Sequence, residues 1–497
     1  MPSQIPLHGL TPKSVDSVKI AKNTLSLSGL QIFIKALSVL WTFYLARRLG
    51  VASYGLWANI LALVSIFGVL QGLGTLNLVV KDVSQDPGVS RKYYGASLGV
   101  YMAASILALA LIIGSGWALG YSGEKIILLS VAGLSFLCSA PGLASQAILH
   151  GHGDFLLYAG IYAMGMILYM VLGGVFVESG HGVIGIFLAL CIGYAAMGIV
   201  LVWKTVRKYG APVFEGSFSQ ARSLVRLGFP LVLSAVLVEL ILRADRLLIT
   251  HFRGEAAVGL YHAAFNLVYL PREIVLIPFL TAVYTPLCAH YVKDMERFHR
   301  LFEQTCVMLL LVALPIAFIV PLFGTDIIRL LYGEKFLESG KILSILIWMV
   351  PPFFLACAWQ NILIMLNRTG TYLWTNFSGM AFNVALNLFL IPKWGVVGAA
   401  MSAVITQTAM MVLLFWMLRD LSLLGFLKRI HGLTGAAVLA GAFSYLLAKT
   451  FPFAGRFSWI AFACAGGALY GLLVWRFKVL HGNEMEWLKA RLRFLRV

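Results

Sequence analysis

Residues 228–249, GFPLVLSAVLVELILRADRLLI, are apolar enough and numerous enough to cross a bilayer as one helix. The run nevertheless contains the charged residues Glu239, Arg243, Asp245 and Arg246. A charge at the centre of a membrane helix costs roughly 2.5–3.5 kcal/mol on insertion scales, so each of these side chains needs a partner or a water-filled cavity. The run therefore predicts a transmembrane helix beside a polar interior.

The composition extends this prediction to the whole chain of 497 residues. With 60% hydrophobic and 12% charged residues, the chain is far more apolar than a soluble protein of its length. The net charge of +18 could suggest a nucleic-acid partner, but the excess Lys and Arg residues fall in short segments between apolar runs, as membrane insertion requires. We therefore expect a polytopic membrane protein without a nucleic-acid partner.

Apolar windows of about 20 residues predict about fourteen spans. Their approximate ranges are 24–46, 53–80, 95–119, 126–149, 155–177, 182–203, 228–249, 258–285, 301–323, 342–365, 371–391, 395–418, 430–448 and 457–475. With the N-terminus inside, the inner segments hold about 24 of the 38 Lys and Arg residues and the outer loops hold about 10. This bias predicts a plasma (inner) membrane protein with both termini cytoplasmic.

A weak repeat relates the first six spans to the next six. Gly50 and Gly55 of RRLGVASYGLW correspond to Gly254 and Gly259 of HFRGEAAVGLY, each 204 positions later. Because each unit has an even number of spans, both enter the membrane with the same polarity. The repeat thus predicts two lobes related by a pseudo-two-fold along the membrane normal, with a cavity between them.

The predicted organisation has five parts. They are an N-terminal six-helix lobe (1–203), a cytoplasmic linker (204–227), a C-terminal six-helix lobe (228–418), two additional transmembrane helices (419–475) and a basic amphipathic cytoplasmic tail (476–497). Apolar residues recur at helical spacing beside basic ones in the linker. We therefore expect the linker to be an amphipathic helix on the inner surface.

Three stretches resemble a known family. LARRLGVASYGLW (45–57), DRLLI followed by VGLYHAAF (245–265) and NVALNLFLIPKWGVVGAA (383–400) are similar to oligosaccharide flippases of the polysaccharide-transporter type, which include the O-antigen flippases. That family shares a superfamily with multidrug/toxin exporters and lipid II flippases. The resemblance covers nearly the whole chain. It implies an all-α, two-lobed transporter that moves an undecaprenyl-pyrophosphate-linked oligosaccharide outward by alternating access.

Two charged positions are related by the repeat. Lys35 lies near the middle of the first span, and the offset of 204 places Glu239 at the equivalent depth of the seventh. We expect the two to oppose each other across the cavity, or else to be neutralised within their own lobes. Arg243 and Arg246 share the face of Glu239, whereas Asp245 points elsewhere. Glu239 and Arg243 could instead form an intrahelical pair, and Arg246 could equally reach the outer interface and anchor the helix end there.

Pro271, Arg272 and Glu273 stand inside the eighth apolar run, where a proline frees a carbonyl and favours a bend lining a cavity. Arg272 is expected to face that cavity, or else to pair with Asp245. The planar set of N–H donors of arginine and the compact positive charge of lysine can both bind the oxygens of a pyrophosphate. The predicted substrate-binding charges are Lys35, Glu239, Arg243 and Arg272, and the predicted partners or coupling groups are Asp245, Arg246 and Glu273.

Uncharged amides also occur inside the spans. Candidate sugar contacts are Gln360, Asn361, Asn376, Asn383 and Asn387. The last three share a face of the eleventh helix. The alternative, and the commoner role of such residues, is to join helices to each other.

Several other functions remain open at this stage. A lipid II flippase shares the predicted plan. A multidrug/toxin antiporter fits less well because of Lys35 and the two extra spans. A membrane polymerase or ligase of lipid-linked glycans lacks a substantial outer loop, and no GK[ST] loop or HExxH motif is present. We expect no enzyme activity, no metal and no cofactor, with a coupling ion (H⁺ or Na⁺) left open. The expected partners are the lipid-linked oligosaccharide, membrane lipids and polysaccharide polymerase machinery.

Overall fold

A computed structural model of the chain describes residues 17–72, 74–419, 424–451 and 457–476. Within these ranges the regular structure is helical throughout. The α-helices are α1 (Ser17–Gly72), α2 (Leu76–Gln85), α3 (Ser90–Ala118), α4 (Gly123–Gly151), α5 (Phe155–Glu178), α6 (Gly182–Tyr209), α7 (Phe218–Pro271), α8 (Ile277–Lys293), α9 (Met295–Ile319), α10 (Gly324–Tyr332), α11 (Glu338–Leu346), α12 (Val350–Met365), α13 (Thr369–Met417), α14 (Leu424–Thr450) and α15 (Ser458–Arg476). The predicted basic tail lies outside the described residues from 477 onward. The all-helical prediction is confirmed.

The apolar helices account for the multi-pass character of the chain. Among the described residues, 11 helices are long and apolar enough to cross a membrane. Three of them, Gly29–Gln85, Arg243–Tyr291 and Thr369–Met417, have 57, 49 and 49 residues, more than twice the roughly 20 that one crossing needs. Each contains a glycine with non-helical dihedral angles. The number of fourteen spans stays a prediction.

The chain divides into two compact units. The first unit comprises Met1–Thr42 and Phe67–Leu233, and the second comprises Phe43–Ile66 and Ser234–Val497. In the first unit, Trp41 Nε1 donates to Tyr169 Oη at 2.9 Å, which joins α1 to α5. A Cβ on Gly173 would lie only 2.9 Å from the Trp41 ring, so the small residue allows this contact. The lobe boundaries of the sequence analysis stay predictions.

Two repeat-related glycines have the same backbone conformation. Gly50 has φ 75° and ψ 177°, and Gly254 has φ 81° and ψ 179°. Both positive φ values lie in the region that glycine adopts without strain. This similarity supports the predicted repeat at the level of the backbone.

The same repeat produces a reciprocal helix contact inside the second unit. A Cβ on Gly55 would lie 1.8 Å from the Glu255 carbonyl oxygen, and a Cβ on Gly259 would lie 2.2 Å from the Val51 carbonyl oxygen. Val51 and Glu255 are also 204 positions apart. Two helix segments thus cross backbone to backbone about a local two-fold relation, and only glycine fits at the crossing.

The linker is not the single amphipathic helix that its sequence predicts. Helix α6 continues to Tyr209 and α7 already begins at Phe218, so only the segment between them is non-helical. This segment is held to the start of α3, because Val213 N donates to the Arg91 carbonyl at 3.0 Å. A Cβ on Gly95 would lie 2.1 Å from the Val213 carbonyl oxygen. Residues 210–217 thus interrupt the predicted linker helix, whereas residues 218–227 are helical as the start of α7.

Candidate functional site

The first predicted pair of charges lies in different units. Lys35 is on α1 in the first unit and its side chain is exposed, whereas Glu239 is on α7 in the second unit. Their opposition across a cavity stays a prediction. Glu239 does have a partner on its own helix, since Arg243 Nε lies 3.0 Å from Glu239 Oε2. The two side chains are 25% and 24% exposed, so the intrahelical alternative is the one that the structure shows.

Asp245 is the centre of a buried polar network. Its side chain is 6% exposed and accepts hydrogen bonds from Tyr261 Oη at 2.7 Å and from Asn387 Nδ2 at 2.6 Å. Asn387 Nδ2 also donates to Asn383 Oδ1 at 3.0 Å, and Asn383 Nδ2 lies 3.4 Å from Thr406 Oγ1. The network joins α7 to both halves of α13. A buried carboxylate among amides and hydroxyls is held by neutral donors and can also take up a proton or a small cation.

Arg246 does not reach the outer interface, and that prediction was wrong. Its residue is 4% exposed, and its guanidinium carbon lies 5.0 Å from the centre of the Phe265 ring. The hairpin within α7 explains the difference, because the second half of this helix folds back and covers the arginine with an aromatic face. Helical periodicity alone cannot show which neighbouring segment covers a side chain.

Arg272 lies at a change of helix type. Helix α7 ends at Pro271, and Arg272–Leu276 form a π-helical turn before α8 begins. Such turns are frequent at functional sites because they redirect side chains. Arg272 forms an ion pair with Glu273, and the two side chains are 30% and 33% exposed. The expected partner Asp245 is engaged by Tyr261 and Asn387 instead.

The predicted amides separate into two groups. Asn383 and Asn387 are buried in the network around Asp245, which agrees with the helix-joining role. Gln360 Nε2 donates to Asn376 Oδ1 at 3.2 Å, and both residues are partly exposed, as is Asn361. The half-buried group remains the better candidate for sugar contacts.

Sequence reasoning missed an aromatic ladder on the second half of α7. Tyr261 and Phe265 stack with their ring centres 5.7 Å apart, and Phe265 and Tyr269 stack at 4.8 Å. The guanidinium carbon of Arg272 lies 5.2 Å from the centre of the Tyr269 ring. The ladder thus runs from the Asp245 network past Arg246 to Arg272. The spacing of four residues in YHAAFNLVY was the available signal.

A second polar cluster lies at the turn between α4 and α5. Asp154 accepts hydrogen bonds from Lys208 Nζ at 2.6 Å and from Tyr209 Oη. Burial opposes ionisation of Asp154, but these hydrogen bonds outweigh it and lower the pKa of the carboxyl. His152 stacks on Tyr209 with 3.8 Å between ring centres, and burial lowers its pKa. Within the described residues, no group of three or more His, Cys, Asp or Glu side chains is arranged to hold a metal ion.

The apolar helices define a multi-pass, all-helical membrane protein. The chain belongs to the polysaccharide biosynthesis protein family, whose model matches residues 44–341. This membership confirms the class predicted from the resemblance.

The similar proteins include a membrane protein and a probable flippase. The uncharacterized membrane protein MJ1068 of Methanocaldococcus jannaschii is 28% identical over 144 residues, a match that spans 29% of this chain and only 28% of that protein. The probable flippase AglR of Haloferax volcanii is 24% identical over 379 residues, which cover 74% of this chain and 76% of AglR. Among solved structures, the lipid II flippase MurJ in an inward closed conformation gives a TM-score of 0.74 at 17% identity, over 91% of this chain and 98% of MurJ. At that identity the similarity establishes the fold alone.

Proposed function

We propose that this protein is a flippase that moves an undecaprenyl-pyrophosphate-linked oligosaccharide from the cytoplasmic to the outer leaflet. Family membership supports a role in polysaccharide biosynthesis, and a relative named a probable flippase supports the activity. The MurJ-like fold supports a transporter that alternates between inward and outward access. On this proposal the protein is not an enzyme, because it breaks no covalent bond of the substrate.

One observation carries the substrate class. Arg243 and Arg272 both lie in the membrane-spanning segment Arg243–Tyr291, and each is partly exposed beside a carboxylate. Among the described residues, Arg243 bonds Glu239 through Nε, and the rest of its five-donor fork is proposed to bind a guest. An anionic pyrophosphate can take such donors in a bidentate manner, as carboxylates and phosphates do with arginine. Lys35, which is exposed on α1, is proposed as a further substrate-binding charge.

The driving force also belongs to the proposal. Moving one uncompensated negative charge outward along an inside-negative potential releases about 2.3 kcal/mol per 100 mV. A pyrophosphate can therefore be driven by voltage if the arginines do not move with it. The alternative is ion coupling at Asp245, the buried carboxylate nearest these arginines in sequence.

The test is transport in proteoliposomes that contain a fluorescent polyprenyl-pyrophosphate oligosaccharide. Lys35→Ala, Arg243→Ala and Arg272→Ala should each reduce the flipping rate by at least tenfold at unchanged protein abundance. Lys35→Arg should retain transport and Lys35→Gln should not, because the need is for positive charge. Arg297→Ala is the matched control, since that arginine is 66% exposed on α9. Normal transport in all three alanine variants would refute the cationic site.

Two further arms of the assay separate the remaining alternatives. Collapsing an imposed potential should slow transport if voltage drives it, whereas dependence on a Na⁺ or proton gradient that Asp245→Asn removes would establish ion coupling. Transport of lipid II in preference to the oligosaccharide would place the protein among lipid II flippases instead.

The orientation is tested by cysteine labelling in a thiol-free variant. Ser179 follows α5 and is exposed on the side proposed to be outer, and Glu215 is exposed in the segment proposed to be cytoplasmic. An impermeant thiol reagent added to intact cells should label Ser179→Cys and not Glu215→Cys. Ser217 is unsuitable because it is 4% exposed. The opposite labelling pattern would reverse the proposed export direction.

A further inference from the structure

Arg246 is buried without the hydrogen bonds that a buried guanidinium needs. Its residue is 4% exposed, and among the described residues no acceptor bonds its Nε or Nη1. The neighbouring carboxylate, Asp245, is directed to Tyr261 and Asn387. The face of Phe265 provides a cation–π contact, and this contact does not satisfy the N–H groups of Nε and Nη1, which lie in the plane of the guanidinium. Leaving such charged donors unpaired costs more than leaving a neutral donor unpaired.

Two more buried polar atoms without a hydrogen-bond partner among the described residues belong to side chains on the same helix face as Phe265. His262 and Tyr269 stand three residues before and four residues after Phe265, so all three share one face of α7. The atoms His262 Nδ1 and Tyr269 Oη are buried and have no hydrogen-bond partner within the described part of the chain. The arginine above Phe265 is thus flanked by a histidine and a tyrosine one helical turn away on either side.

The hydrogen bond of His262 shows which of its two ring nitrogens carries the proton. Nε2 of His262 lies 3.2 Å from Nδ2 of Asn266, which is a donor, so Nε2 must be the acceptor of the ring. The proton of the imidazole is therefore on Nδ1. Among the described residues, the unpaired groups of Arg246, His262 and Tyr269 are consequently all able to donate: two guanidinium nitrogens, one imidazole N–H and one phenol O–H.

We infer that Arg246, His262 and Tyr269 form a binding site for one small anionic group, either a free inorganic anion or a phosphoryl oxygen of a lipid-linked pyrophosphate. A cluster of donors with one fixed positive charge is complementary to a single negative charge. Its two guanidinium N–H groups would give charge-assisted hydrogen bonds to the same atom or group. The site is separate from the Arg243–Glu239 and Arg272–Glu273 pairs, where the positive charge already has a carboxylate partner.

The test measures thermal unfolding of the purified full-length protein in detergent. Sodium chloride and sodium phosphate are titrated against sodium gluconate at constant ionic strength, and farnesyl pyrophosphate is titrated separately. A ligand that binds the folded state raises the unfolding midpoint in proportion to the logarithm of its concentration once it exceeds Kd. We expect at least one probe to raise the wild-type midpoint.

The variants decide whether Arg246 is responsible. Arg246→Met keeps a long side chain without donors, so it should unfold at or above the wild-type midpoint without anion and show no response to the probe. Tyr269→Phe removes only the hydroxyl and should weaken the Kd of the probe about tenfold. Arg297→Gln is the control and should respond as the wild type does.

The outcomes separate the two sources of the anion. A response to chloride or phosphate that Arg246→Met abolishes supports a free inorganic anion, and a response to farnesyl pyrophosphate alone that the same variant abolishes supports the lipid-linked phosphoryl group. Absence of any response in the wild type overturns the site, as does a response that persists in both Arg246→Met and Tyr269→Phe. Because the readout is stability, these results are independent of the transport assay.

Discussion

Replacing Gly55 by alanine tests the reciprocal glycine crossing of the second unit. The added Cβ would lie 1.8 Å from the Glu255 carbonyl oxygen, whereas real Cβ atoms essentially never come closer than 3.0 Å to another heavy atom. The two helix segments must therefore separate by about 1.2 Å at this point, with loss of packing along the crossing. Overpacking of this kind typically costs about 1–3 kcal/mol. For a unit of roughly 300 residues this corresponds to a fall in Tm of about 2–5 °C.

The symmetry of the contact makes the prediction sharper. Gly259→Ala requires a separation of about 0.8 Å in the same direction, because its Cβ would lie 2.2 Å from the Val51 carbonyl oxygen. One displacement relieves both clashes, so the double variant should cost about as much as Gly55→Ala alone. Gly467→Ala is the matched control, since nothing lies within 4 Å of its Cβ and alanine favours the helix. An unchanged Tm for Gly55→Ala, or a double variant equal to the sum, would refute the shared crossing.

Three further predictions concern the polar clusters. Asp245→Asn places an amide donor against buried donors, so thermal unfolding should show a loss of stability of about 1–3 kcal/mol. Asp326 is partly exposed, so the control variant Asp326→Asn should lose less than half as much. Asp154→Asn should lower the free energy of unfolding by about 0.5–1 kcal/mol at pH 7, a small loss because its partner Lys208 is half exposed. The pKa of Asp154 is lowered in the folded protein, so the stability difference between wild type and variant should be complete above about pH 4. It should vanish as the pH falls through the pKa that Asp154 has in the folded protein. Arg253→Gln should lower Tm by roughly 1–3 °C, because the guanidinium donates to two backbone carbonyls before the break at Gly395, and a Tm equal to wild type would show that these bonds contribute nothing.

Arg47, close to the glycine break at Gly50, is an exception to the excess of basic residues in the inner segments. Arg47 lies in a segment predicted to be outer, where basic residues are unfavoured. Its guanidinium donates to the carbonyls of Leu330 and Leu331 near the end of α10. The last carbonyls of a helix have no hydrogen-bond partner within that helix, so Arg47 caps the C-terminal end of α10. The positive-inside rule counts charges and cannot recognise this use.

The amino-acid sequence by itself determined the all-helical class, the multi-pass membrane character, the family and the equivalence of the repeated glycines. Each of these follows from local or regularly spaced signals, namely long apolar runs, loop charges and glycines at a constant offset. The charged residues of 228–249 were recognised as exceptional for the same reason, because their cost in a membrane depends on chemistry alone. The ion pair of Glu239 with Arg243 was also within reach, since it follows from helical spacing.

Only the tertiary structure decided how the charges are partnered. Asp245 meets Asn387, which is 142 residues away, and Arg246 is covered by Phe265 after the chain reverses at Gly254. Neither contact has a signature in the local pattern, because which helix faces cover each other depends on the packing of all helices in the unit. The crossing of Gly55 with Gly259 likewise has one part that the sequence indicates and one part that only the fold decides. The sequence indicated the equivalence of the two glycines, and the fold placed the two backbones in contact.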